Sequence, residues 1–74
     1  MVGEELRKAR EKAKLTQERL SFSAEIDRSY ISQLENDKKS PTLDVLFRLC
    51  NVLGVAASEL IARVEESQKA KRKK

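Results

Sequence analysis

The chain has 74 residues, which is enough for one domain with a small core, and its abundance of Leu, Ala, Lys, Arg and Glu favours helices over a sheet. A single cysteine and the absence of histidine exclude an intramolecular disulfide and the usual zinc ligand sets, so neither a metal nor a cofactor is expected. The net charge is +4, but residues 67–74 hold five of the 16 Lys and Arg residues, and residues 1–66 carry 11 bases against 12 acids, so charge alone does not indicate a nucleic-acid partner.

Two helices are predicted at the N-terminal end. The first runs from about Gly3 to Lys14, with acidic residues in its first turn and basic residues in its last, as the helix dipole favours. The hydroxyl of Thr16 is expected to cap a second helix from Gln17 to Ala24. This second helix is short and needs a neighbour to be stable.

The next two helices are also marked by their ends. A third helix is predicted from Arg28 to about Asn36, with the carboxylate of Asp27 capping its first turn. A fourth helix from Leu43 to Leu53 is expected to begin at a Thr42 cap and to end at Gly54 in the left-handed conformation.

Apolar residues of the fourth helix recur at helical spacing and are expected to face the core: Leu43, Leu46, Phe47, Cys50 and Leu53. Because no histidine is present to activate it, Cys50 is interpreted as a core residue and not as a nucleophile. A fifth helix is predicted from about Ala57 to Glu66. Residues 67–74, SQKAKRKK, are predicted to be a disordered basic tail outside the 1–66 domain, either binding phosphate or only adding solubility.

The third helix has two chemically distinct arcs when its residues are placed about 100° apart on a wheel. One arc is polar and consists of Arg28, Ser29, Ser32, Gln33 and Asn36; the other consists of Tyr30, Ile31, Leu34 and Glu35. An ordinary solvated face is one interpretation of the polar arc. The other is a face that reads the major groove, since Arg, Gln and Ser can each hydrogen-bond to base edges. Short uncharged side chains, where a solvated face normally carries Glu and Lys, favour the second interpretation.

The segments LTQERLS, IDRSYISQLEN and KSPTLDVLFRLCNVLGV resemble the Cro/C1-type (XRE-like) helix-turn-helix family over residues 4–64. The segment IDRSYIS is especially similar to the controller proteins of restriction-modification systems. The resemblance implies an all-α fold, a compact five-helix lambda-repressor-like domain in which the second and third helices form the helix-turn-helix.

By matching position, the resemblance implies that Arg28, Ser29, Ser32 and Gln33 read bases. It also implies that Gln17 contacts a phosphate and braces the reading helix. The full set of expected phosphate contacts is Thr16, Gln17, Tyr30, Asn36, Lys38, Lys39 and Ser40. For Tyr30, purely structural packing is an equally weighted alternative. Phosphate contacts position the domain, whereas base contacts specify the sequence.

The resemblance further implies a structural ion pair between Arg10 and Glu35. Glu35 lies on the arc that faces the protein, where an unpaired carboxylate would be costly, so a partner is required on physical grounds as well. The sequence departs from the family at Glu25, where a glycine is usual in the turn, and at Ser21, whose hydroxyl then needs a partner such as a backbone carbonyl. Phe22 is expected to point outward.

A single reading helix contacts only a few base pairs, so the protein is expected to bind a palindromic operator on double-stranded DNA as a homodimer. The residues predicted for the dimer interface are Val45, Val52, Leu60, Ile61 and Val64, with internal packing as the alternative. The hypothesis is a transcriptional activator or repressor, for which control of a restriction-modification operon is one candidate role. The alternatives are an autoregulating antitoxin or phage-type repressor, and a protein-interaction module that does not bind DNA.

Other classes of protein are disfavoured. No set of residues for acid-base or nucleophilic catalysis is present, so the chain is not expected to be an enzyme. Nothing indicates a small-molecule ligand. The N-terminus is charged, and no apolar run approaches the ~20 residues that cross a bilayer, so no membrane partner is expected and the protein is predicted to be cytoplasmic, associated with the nucleoid through DNA.

Overall fold

The chain folds into five helices: α1 (Val2–Lys12), α2 (Gln17–Ala24), α3 (Arg28–Glu35), α4 (Leu43–Leu53) and α5 (Ala57–Arg72). The computed structural model describes residues 1–72, with side chains described through residue 69. No strand occurs within residues 1–72, which confirms the predicted all-α class. Among these helices none is alone long and apolar enough to span a membrane; α4 and α5 pass that test only as a pair, across a bend of 108°.

The helix boundaries follow from local hydrogen bonds. The Thr16 hydroxyl accepts a hydrogen bond from the backbone N–H of Arg19 at 3.0 Å, and the Thr42 hydroxyl accepts one from Val45 at 3.2 Å. Gly54 ends α4 with φ 75°. These three observations confirm the predicted starts of α2 and α4 and the predicted C-terminal end of α4, because each of these boundaries depends on residues close in sequence.

The turn between α2 and α3 is closed by a non-glycine residue. Glu25 adopts φ 57° and ψ 45°, the left-handed conformation in which glycine is favoured. Its N–H donates to the Phe22 carbonyl at 3.4 Å, and the N–H of Ile26 donates to the Ser21 carbonyl at 3.0 Å, so the end of α2 is capped by backbone. The Ser21 hydroxyl donates to the Glu18 carbonyl at 2.9 Å, which supplies the partner that the sequence required.

The buried core draws on all five helices: Leu6, Ala9, Leu20, Ala24, Ile31, Leu34, Leu46, Leu49, Cys50, Leu53 and Leu60. Cys50 is 2% exposed, and burial raises the pKa of its thiol, which agrees with a packing role. The predicted stripe of α4 was wrong at two positions, since Leu43 and Phe47 are 64% and 56% exposed. The buried face of α4 is instead centred on Leu49 and its neighbours, because α2 and α5 cover that side of the helix.

The C-terminal helix is longer than predicted. It continues from Ala57 to Arg72, so the expected end near Glu66 and the expected disorder of residues 67–72 are wrong. Residues 66–72 contain no glycine or proline, and Gln, Lys, Ala and Arg are all good helix formers, which accounts for the extension. Residues 73 and 74 of the predicted tail lie outside the described residues.

Gly3 lies where α1 crosses the end of α3 and permits their close approach. A Cβ atom at this position would overlap the Leu34 carbonyl oxygen and would lie 2.5 Å from that of Glu35. Both are backbone atoms and cannot rotate away. In addition, the N–H of Gly3 donates to the Asp37 carboxylate at 3.0 Å, which joins the two helix ends.

Gly3→Ala is therefore expected to destabilise the protein by about 1–3 kcal/mol through overpacking. In an unobstructed helix the same change would be stabilising by about 1 kcal/mol, so the sign of the effect is diagnostic. Urea unfolding checks it, with Arg7→Ala at an exposed position of α1 as the matched control, for which a change within about 0.5 kcal/mol is expected. A Gly3→Ala protein as stable as the wild type would show that the two helices can separate without cost.

Candidate nucleic-acid interface

The predicted reading residues lie together on one surface. Arg28 and Ser29 are exposed, Ser32 and Gln33 are partly exposed, and all four line one open, shallow depression together with Gln17 from the start of α2. The opposite side of α3 is buried: Ile31, Leu34 and Glu35 are 1%, 0% and 7% exposed. The polar arc thus points outward, while the other arc holds α3 against the domain. The side chains of the polar arc present both hydrogen-bond donors and acceptors.

A network of hydrogen bonds behind α3 fixes its position. Arg10 Nε donates to Glu35 Oε2 at 2.7 Å, and Arg10 Nη2 donates to Glu35 Oε1 at 3.1 Å, so the expected ion pair is bidentate. Arg10 Nη1 donates to the Leu15 carbonyl at 2.8 Å, and Gln17 Nε2 donates to Glu35 Oε1 at 3.0 Å. One buried carboxylate therefore joins α1, α2 and α3.

The electrostatics of the network are those of a tight, partly desolvated pair. The side chains of Arg10 and Glu35 are 13% and 4% exposed. The hydrogen bond to Glu35 raises the pKa of the Arg10 guanidinium, and burial opposes that rise to a lesser extent. Gln17 is thereby held beside α3 with its second Nε2 hydrogen still able to donate, as its predicted role in bracing and phosphate contact requires.

Most of the other expected phosphate contacts lie on α3 and in the loop that follows it, and their binding to DNA stays a prediction. Lys38, Lys39 and Ser40 are exposed in the loop after α3. Lys39 Nζ lies 6.0 Å from the centre of the Tyr30 ring, within cation–π range, and Tyr30 packs against the core. The loop is thus supported by a ring that belongs to α3.

Like Gln17, two further expected contacts already make hydrogen bonds within the chain. The Thr16 hydroxyl accepts the capping hydrogen bond of α2, and Asn36 Nδ2 donates to the Ser32 carbonyl at 2.9 Å. Each side chain keeps further hydrogen-bonding capacity, because a hydroxyl has one donor and two acceptors and an amide has two of each. Their assignment to phosphate is likewise a prediction.

Asp27 differs from its predicted role. It occupies the N-cap position of α3, but its side chain makes no capping hydrogen bond to the backbone. Its Oδ2 instead accepts a hydrogen bond from the Ser29 hydroxyl at 2.7 Å. The expected cap was wrong because the hydroxyl of a nearby residue competes with the backbone N–H groups for the same carboxylate.

Asp37 is a residue of the interface region that sequence reasoning missed. Its carboxylate accepts hydrogen bonds from the Met1 amino group and the Gly3 N–H, each at 3.0 Å. These contacts hold the start of α1 against the end of α3 and the loop that carries the expected phosphate contacts. No periodicity or motif in the sequence indicates a bond across 34 residues.

The residues predicted for a dimer interface fall into three groups. Leu60 is 1% exposed and belongs to the core, so its assignment to an interface was wrong: no surface is left for a partner to cover. Val45 and Val52 are half-buried against that core. Ile61, which is 40% exposed, and the partly exposed Val64 keep apolar surface on α5.

Comparison with known proteins shows the family. A helix-turn-helix family model matches residues 6–60. The control protein C.MunI of Mycoplasma sp is 37% identical over 65 residues, covering 86% of this chain and 88% of that protein. The immunity repressor protein of Bacillus phage phi105 is 33% identical over 60 residues, covering 81% of this chain, and the match spans only 42% of the repressor.

A solved structure agrees with these matches. The restriction-modification controller protein C.AhdI from Aeromonas hydrophila has a TM-score of 0.77 at 32% identity, covering 80% of this chain and 89% of that one. The resemblance seen in the sequence is confirmed, and the matched proteins are regulators and not enzymes. The chain belongs to the helix-turn-helix family of DNA-binding transcriptional regulators, with controller proteins and a phage repressor among its relatives.

Proposed function

We propose that the protein is a sequence-specific regulator that binds a palindromic operator as a homodimer and controls a restriction-modification operon. The observation that carries this proposal is the outward polar arc of α3, held in place by the buried carboxylate that joins three helices. A rigid helix with Arg28 and Gln33 at its surface fits the major groove, where Arg pairs with guanine and Gln with adenine. Operator position relative to the promoter would then decide between activation and repression.

Control of a restriction-modification operon is supported by the share of the controller proteins' length that matches this chain. C.MunI and C.AhdI match this chain over 88% and 89% of their own lengths. The phage repressor matches over less than half of its length, yet at 33% identity it keeps an autoregulating phage-type repressor as the second candidate. Neighbouring genes for a methyltransferase and an endonuclease would support the first candidate, and a phage operon the second.

Selection of bound sequences from random DNA tests the proposal. The expected product is a palindrome whose half-sites are centred about 10 base pairs apart or a multiple of that spacing, because two symmetry-related copies of α3 must enter the groove on one side of the duplex. Failure to enrich any half-site at any ionic strength would contradict sequence-specific binding and favour the protein-interaction module.

The dimer is proposed to form through the exposed apolar surface of α5, of which Ile61 is the most accessible member. Ile61→Asp is expected to raise the dimer dissociation constant by at least about tenfold, since burying a carboxylate in the interface is unfavourable. Sedimentation equilibrium without DNA measures this change. Phe22→Asp is the matched control, since Phe22 is 80% exposed and lies on a different helix, α2. Equal dissociation constants for Ile61→Asp and the wild type would exclude this surface.

A further inference from the structure

In the protein without DNA, the hydroxyl of Ser29 already donates its hydrogen bond to the Asp27 carboxylate. Ser29 Oγ donates to Asp27 Oδ2 at 2.7 Å, the length of a charge-assisted hydrogen bond between a hydroxyl and a carboxylate. An ionised carboxylate can only accept, so the hydroxyl must be the donor. Asp27 has no backbone capping bond to compete with this contact.

This contact lies on the reading surface. Ser29 lines the depression on the outward side of α3, beside Arg28 and Ser32, and both Asp27 and Ser29 are exposed. A serine hydroxyl has one donor and two acceptor sites. With its proton held by Asp27, Ser29 offers only acceptor sites to a ligand in the depression.

Base edges differ in what they offer to such an acceptor. In the major groove adenine presents N6–H₂ and cytosine presents N4–H₂, which are donors, whereas guanine O6 and N7 and thymine O4 are acceptors. A serine whose hydroxyl is free can pair with a donor or with an acceptor on the base, because the hydroxyl can rotate. Turning the Ser29 hydroxyl toward a base acceptor would break its bond to the carboxylate and leave two acceptors facing each other.

We propose that Asp27 is a specificity-determining positioning residue, which makes Ser29 select adenine or cytosine, and reject guanine or thymine, at the base whose major-groove edge it meets. The inference rests on the proposed function, since it requires α3 to lie in the major groove.

Ser32 is the internal comparison. It lines the same depression, and within residues 1–69 its hydroxyl makes no hydrogen bond; only its backbone carbonyl is engaged, by Asn36. Its hydroxyl can therefore turn to donate or accept. The base met by Ser32 is expected to be less restricted than the base met by Ser29.

Selection from a half-site library by four proteins tests the inference: the wild type, Asp27→Ala, Ser29→Ala and the double variant. Ser29→Ala identifies the base position that Ser29 reads, as the position where preference disappears. The wild type is expected to favour adenine or cytosine there by about fivefold or more, the lower range for a mismatch in a specific site. Asp27→Ala is expected to admit guanine and thymine at that position and to leave the other positions unchanged.

Asp27→Asn supplies the conservative variant, since its amide oxygen can still accept from Ser29, and is expected to keep part of the preference. A structural role of Asp27 would lower affinity for all sequences alike and would not move the preference at one position. Thermal unfolding confirms that each variant is folded.

Two results overturn the inference alone: an Asp27→Ala protein with the wild-type preference, or a change caused by Asp27→Ala that persists in the Ser29→Ala background, which would mean that Asp27 itself reads the base. A wild type that enriches no half-site overturns the proposed function and this inference with it.

Discussion

Arg10→Ala is expected to destabilise the fold by about 3–5 kcal/mol, because it leaves the buried Glu35 carboxylate without its positively charged partner. Glu35 has a side chain only 4% exposed, and both of its oxygens accept hydrogen bonds from Arg10. Removal of the guanidinium leaves Gln17 as the single remaining donor to this carboxylate among residues 1–69. The substitution also frees the Leu15 carbonyl, which Arg10 holds at 2.8 Å.

Chemical denaturation of a double-mutant cycle measures this effect. The double variant Arg10→Met, Glu35→Leu removes both charges and is expected to be more stable than Arg10→Ala, since apolar replacement of a whole buried pair is often neutral or stabilising. Arg7→Ala, on an exposed part of the same helix, is expected to change stability by less than about 0.5 kcal/mol. If Arg10→Ala lowered the free energy of unfolding no more than Arg7→Ala does, the ion pair would not be what holds the three helices together.

Truncation of Arg28 and Gln33 to alanine is expected to remove most of the preference for the operator. Without its bidentate hydrogen bonds to a base, each truncated side chain should reduce discrimination by about 1–3 kcal/mol, while affinity for unrelated DNA is largely retained, because phosphate contacts remain. Both side chains lie outside the core, so the free energy of unfolding should stay near that of the wild type. The ratio of affinities for operator and scrambled duplex is the quantity to measure, at several salt concentrations.

Two control variants separate the recognition of bases from the electrostatic attraction to phosphate. Arg28→Lys keeps the charge and removes the planar fork, so it is expected to lower the affinity ratio while keeping the salt slope. Lys38→Ala should weaken binding to all sequences alike and reduce the salt slope by about 1. An Arg28→Ala, Gln33→Ala protein with the wild-type ratio would assign sequence reading to other residues.

The helix ends that sequence predicts well are those fixed by neighbouring residues. Thr16, Thr42 and Gly54 each act on the adjacent turn, and the structure has them in the predicted roles. The outward arc of α3 was also predictable, because periodicity alone separates its polar and apolar residues. The pairing of Arg10 with Glu35 came from family resemblance, since periodicity carries no information about which helix supplies the partner.

The errors arose where a tertiary neighbour decides the outcome. Leu43 and Phe47 lie at the edge of an apolar stripe, and only the packing of other helices on α4 determines that this edge stays exposed. Leu60 has the same apolar character as Ile61, yet one faces the core and the other solvent. The bond between Asp27 and Ser29 is local, but sequence alone does not rank it against capping of the backbone.

Sequence reading by α3 is tested most directly by an NMR titration of the ¹⁵N-labelled protein with the selected operator duplex. If α3 reads the groove with its outward arc, the largest chemical-shift changes will occur at Arg28, Ser29, Ser32 and Gln33, with Gln17 at their edge. Changes confined instead to the groove between α1 and α5, lined by Lys8 and Arg63 among others, would show that α3 is not the reading helix.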